Sequence, residues 1–152
     1  MLLTNHTLTG VALGLSTGHP ALALPLGLVS HLVLDAMPHF GPSRPWGWRD
    51  PRFLVVGSID FASSLALTAA AAWLWPAQAL PVLAGVLGAA LPDLTYIPLI
   101  LFTKERVVTW LPWYRPMLAF LSQIQWYERP PGIIAEVAWA VIMSIFLGAR
   151  LS

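Results

Sequence analysis

The 152-residue chain contains no cysteine, which excludes a disulfide framework and any thiolate metal site. It also carries little charge: 10% of its residues are Asp, Glu, Lys or Arg, against 57% hydrophobic. That is too little to cover a soluble domain of this size, and a mean hydropathy of +0.71 agrees. The composition is that of an integral membrane protein. No basic region precedes the first apolar stretch, so no cleaved signal peptide is expected. There is neither a basic block interleaved with aromatics nor a glycine-rich phosphate loop, so no nucleic-acid partner is expected.

Apolar segments of roughly 20 residues can cross a bilayer as helices. The sequence predicts an all-α integral membrane protein, one polytopic domain over residues 1–152. About five transmembrane helices are expected, at about 5–18, 20–38, 53–75, 77–102 and 132–149. A further helix over about 110–126, too short to span, is expected to lie in the interface. Gly18 followed by Pro20 predicts a tight hairpin between the first two helices. Gly10, Gly14 and Gly18 recur every fourth residue and offer a smooth face for close helix approach.

Basic residues concentrate in two connections. Residues 40–52 hold Arg44, Arg49 and Arg52, and residues 103–131 hold Lys104, Arg106, Arg115 and Arg129. The turns near 18–20 and 76–81 have none. The positive-inside rule therefore places both charged connections and the N-terminus in the cytoplasm, at a cell inner membrane, with Arg150 as the exception. Trp46, Trp48, Trp110 and Trp113 flank the spans as an interfacial belt would.

Four of the seven acidic residues, Asp35, Asp60, Asp93 and Glu136, fall inside predicted spans, whereas every basic residue falls outside or at an end. A carboxylate at the bilayer centre costs about 2.5–3.5 kcal/mol. Four of them require protons, water, loop arginines or a bound cation. With the topology above, His6, His31, Asp35, His39, Asp60, Asp93 and Glu136 all fall in the cytoplasmic leaflet, while His19 is a plain loop residue at the opposite turn.

The densest stretch is "SHLVLDAMPHF". His31 and Asp35 are spaced i, i+4 and share one helix face. Pro38 ends the helix and lets His39 fold back. Asp35 falls in the last turn, where the macrodipole disfavours a carboxylate and a cation would offset it. In "GAALPDLTYIP", Asp93 follows Pro92, and such breaks are tolerated where they line a cavity. Gly85, Gly88, Ala89 and Ala90 just before it admit another helix closely. Asp60 has Ser58, Ser63 and Ser64 as polar company. Glu136 is expected either to pair with Arg129 or Arg52 or to join the ligands.

Imidazole and carboxylate without thiolate suit Zn²⁺, and also Mn²⁺ or Fe²⁺. The number of candidates allows one or two divalent ions, and two would suit phosphoester hydrolysis.

The segments "NHTLTG", "HLVLDAMPH" and "GAALPDL" together resemble the small multi-pass bacterial and archaeal membrane-bound metal-dependent hydrolases, over about the first 95 residues. The resemblance implies that His6, His31, Asp35, His39 and Asp93 are metal-binding positions. A His-Arg-Gly-x-Thr-His segment that some members carry later is absent, since no histidine follows residue 39.

The expected function is metal-dependent hydrolysis of a lipid or lipid-linked phosphoester. Asp35 or Asp93 would be the catalytic base, the histidines ligands, and Arg44 or Arg52 the phosphate clamp. Two rivals use the same residues: an ion or proton transporter, and a structural membrane protein whose metal staples its helices. A transport path needs polar groups in both leaflets, and the outer half offers little beyond His19 and Thr17.

Overall fold

The computed structural model describes residues 1–42, 46, 47, 49–102 and 104–151, with only the backbone of Glu105. Arg44, expected to clamp phosphate, and Trp48 of the expected belt lie outside the described residues. The described chain is all-α. Its helices are α1 (Leu3–Thr17), α2 (Pro20–Asp35), α3 (Pro51–Leu74), α4 (Ala79–Leu94), α5 (Ile97–Leu101), α6 (Lys104–Trp110), α7 (Tyr114–Ile124) and α8 (Ile133–Gly148). Prolines set several of the starts: Pro20, Pro51 and Pro98 stand in the first turns of α2, α3 and α5, where a missing N–H costs nothing.

Among the described residues, three helices are long and apolar enough to cross a membrane: α3, α4 with its preceding turn (Pro76–Leu94), and α8 with its preceding turn (Pro130–Gly148). By length and composition this is fewer than the expected five or so. With 15 and 16 residues, α1 and α2 reach only about 22–24 Å, less than a hydrocarbon core of about 30 Å. The expected span over 77–102 is also divided, because the helix stops at Leu94 and a short α5 follows. The interfacial helix expected over 110–126 corresponds to α7, separated from α6 by a turn at Pro112.

The short, polar α1 is the innermost element. Ten of its residues are buried, and it packs against α2, α3, α4 and α8. Thr4, Asn5, His6, Thr7 and Thr9 would be costly against lipid, and inside the bundle they find partners. The hydroxyls of Thr7 and Ser64 lie 2.5 Å apart, and Trp139 Nε1 donates to Thr9 Oγ1 at 2.9 Å.

Close packing of α1, α2 and α4 depends on glycine. A Cβ on Gly10 would overlap the backbone of Gly85 and Val86, and one on Gly27 that of Gly85. Gly18 does not share this role: it meets nothing within 4 Å and adopts φ 60. Its N–H closes the end of α1 on Gly14 O, a left-handed cap that favours glycine.

The segment from α5 to α7 has its own small core of Leu99, Val107 and Tyr114. Tyr114 donates its hydroxyl to Thr95 O, and burial raises its phenol above the ordinary range. Trp126 Nε1 then donates to Ala36 O at 2.8 Å, which ties the end of α7 to the end of α2.

Candidate metal centre

Three elements converge at one end of the bundle: the first turns of α1, the last turn of α2 and the last turn of α4. One ligand atom each from His6, His31 and Asp93 lies within 4.8 Å of the others, and this is the group able to hold a metal among the described residues. The His6 and His31 rings stack with centroids 3.9 Å apart and planes inclined by 19°. Both are nearly inaccessible, while the Asp93 side chain keeps 27% of its surface. Asp93 is thus the open side of the group.

His31 is oriented from behind. Its Nδ1 lies 2.6 Å from Ala89 O, and since a carbonyl only accepts, Nδ1 carries the hydrogen. Its Nε2 faces Asp35 Oδ2 at 3.1 Å and Asp93 Oδ1 at 3.9 Å. A neutral ring would then aim a lone pair at two carboxylates, so a proton or a cation is required between them. Metal-ligating histidines share this arrangement, and so do protonated histidines paired with acids.

Asp35 holds the group together. Its Oδ1 meets His6 Nε2 at 3.1 Å and the nitrogen of Met1 at 2.5 Å, and its Oδ2 accepts from Gln125 Nε2 at 2.9 Å. Its position at the helix end thus has four donors or potential donors around it. His6 Nδ1, by contrast, is buried and has no partner among the described residues. An orphaned buried nitrogen costs about 1–3 kcal/mol unless something binds it. The donor set of the group, two imidazoles and one carboxylate, could hold a metal ion.

The other expected ligands stand apart from the group. Asp60 accepts from Leu3 N at 2.7 Å, Thr4 N at 2.9 Å and Thr4 Oγ1 at 2.5 Å. Glu136 accepts from Leu2 N at 3.0 Å and Asn5 Nδ2 at 2.5 Å. These two carboxylates cap the free amides that open α1. The expected pairing of Glu136 with Arg129 or Arg52 is corrected: Arg52 is engaged by Asp50 at 2.8 Å, and Arg129 lies over the Tyr127 ring. His39 is buried, gives Nδ1 to Met37 O at 2.8 Å, and pairs by its backbone with residues 127 and 129. His19 is exposed at the far turn.

Sequence reasoning missed Asn5 and Gln125. Asn5 was readable in the polar run "TNHTLT" at the head of an apolar segment, whereas nothing in the spacing links Gln125 to Asp35, 90 residues away. Compared with protein-family models, curated proteins and solved structures, the chain matches none.

Proposed function

We propose that this chain is a multi-pass membrane protein that holds a divalent metal between His6, His31 and Asp93 and uses it to hydrolyse a lipid or lipid-linked phosphoester. The observation that carries the reading is the orientation of His31, clamped through Nδ1 by Ala89 O and turned through Nε2 toward Asp35 and Asp93. Zinc is the first choice from the donor set, with manganese or iron as alternatives. A bound metal would supply Lewis-acid activation of water and of a phosphoryl oxygen. Asp35 would orient both imidazoles and hold a proton from the attacking water. Asp93, on the accessible side, is where substrate would enter. Hydrolysis follows from the resemblance to membrane-bound metal-dependent hydrolases.

The staple reading has its own support, because the ligands come from three different helices. The transporter reading has less. Beyond the first turns, α1 meets α4 through Gly10, Val11, Gly14 and Leu15, with backbone against backbone and a buried apolar cluster. In the proposed arrangement the charged connections and the N-terminus are cytoplasmic, and α1 and α2 complete five passes as a short inner pair.

The test is elemental analysis of chain purified without chelator, followed by a screen of the metal-loaded protein against phospholipids and polyprenyl phosphates. At least one transition metal per chain, lost in His31→Ala and Asp93→Ala, is expected. Metal without turnover of any substrate would leave the staple reading; no metal would end both.

A further inference from the structure

Helices α3 and α8 both rest on α1 but hardly touch each other. Between them runs a groove of about 410 Å³, within the range of small-molecule sites. Its walls include Ile59 of α3 and Val137 of α8, which are 64% and 56% exposed. Its floor is the first turn of α1, with Asn5, Asp60 and Glu136.

That floor consists of acceptors. Asn5 is 3% exposed and spends its Nδ2 on Glu136 O at 3.0 Å and Glu136 Oε2 at 2.5 Å. Two acceptors on Nδ2 fix which way the amide points, and Asn5 Oδ1 is left buried with no partner among the described residues. Asp60 and Glu136 add two carboxylates. Their donors are amides and the Thr4 hydroxyl, and among the described residues no lysine or arginine pairs with either. The opening of α1 offsets only about half a charge. The groove is therefore apolar along its sides, negative at its base, and short of one hydrogen-bond donor.

We propose that this groove binds a membrane lipid with a primary-ammonium headgroup. The acyl chain lies between α3 and α8, and the ammonium donates to Asn5 Oδ1 and balances Asp60 and Glu136. Two walls that face the bilayer make lipid the available occupant, and the negative floor rejects a headgroup that offers only phosphate. Glu136 stands in the first turn of α8, so the acceptors lie close to the helix end and within reach of a headgroup. The inference rests on the membrane reading and not on the metal or on hydrolysis.

The experiment is native mass spectrometry of the full chain in detergent, with phosphatidylethanolamine, phosphatidylcholine or phosphatidylglycerol added in equal amounts. Phosphatidylethanolamine should be retained about tenfold more than the other two, as one charge-assisted hydrogen bond implies. Asn5→Ala should reduce that preference. If Asn5→Ala does not fold, Val137→Trp decides, since it fills the groove from an exposed wall; it should abolish retention and keep the wild-type metal content. Equal retention of phosphatidylcholine or phosphatidylglycerol would overturn the proposal, as would a folded Val137→Trp protein that retains lipid normally. Metal content measured on the same samples reports separately on the metal centre.

Discussion

His31 and Ala89 stand 58 residues apart, yet Nδ1 of the first lies 2.6 Å from the carbonyl oxygen of the second. This one bond turns the imidazole so that its other nitrogen faces two acids. Removal of metal should therefore be visible in stability. At zinc about a thousandfold above its dissociation constant, binding stabilises the folded chain by about 4 kcal/mol. Chelator should lower the midpoint of thermal unfolding of wild type accordingly and leave His31→Ala unmoved. A wild-type midpoint indifferent to chelator would refute metal binding.

Asp35 gathers His6, His31 and Gln125 around a side chain that is almost wholly buried. Asp35→Ala strands those groups and should cost about 3–5 kcal/mol, the range for breaking a buried charged network. Asp35→Asn keeps the shape and should cost less, while losing any turnover the wild type shows. Thermal unfolding in detergent beside an activity assay separates the two effects.

Glycine positions should divide sharply. Gly85→Val drives a side chain into the backbone of Gly10 and should cost about 3 kcal/mol or prevent folding. Gly57→Ala in α3 meets nothing within 4 Å and should stabilise by about 0.5–1 kcal/mol. Unfolding midpoints of the two variants check this, and equal effects would contradict the packing of α1 on α4.

His19→Ala, at the exposed far turn, should leave metal content and unfolding midpoint unchanged. A loss like that of His31→Ala would bring the turn between α1 and α2 back into the site.

Because the chain has no cysteine, a single introduced one is a unique label. Cysteines at 49 and 106 should react only from the cytoplasmic side and one at 77 only from the outside. Reversed labelling would invert the proposed topology.

Much of the architecture could be read because prolines and charge punctuate it. The start of α2 follows from Pro20, and the pairing of His31 with Asp35 follows from their spacing of four, while α3 begins at Pro51, two residues before the expected start. What could not be read is lateral position. Distance along a helix gives the level of Asp60, Asp93 and Glu136 but not the side of α1 on which each falls. Only Asp93 joins the histidines, while the other two face the opposite flank, where the amides of residues 2–4 need acceptors. His39 escaped for a related reason: beyond Pro38 the chain is bound by residues 127 and 129, a pairing that no local pattern announces. Average hydropathy likewise hid the innermost position of α1, since its polar residues cluster at one end.

The central place of α1 also sets an order of events during synthesis. Its polar residues find their partners in Asp60 and Ser64 of α3 and in Glu136 and Trp139 of α8. Asn5 and Glu136 are 131 residues apart, which at about 5–20 residues per second is a delay of roughly 7 to 26 seconds. For that interval α1 holds an uncovered row of polar groups at the membrane, and the insertion machinery or water must shelter them. Helix α1 is thus made before the helices that enclose it.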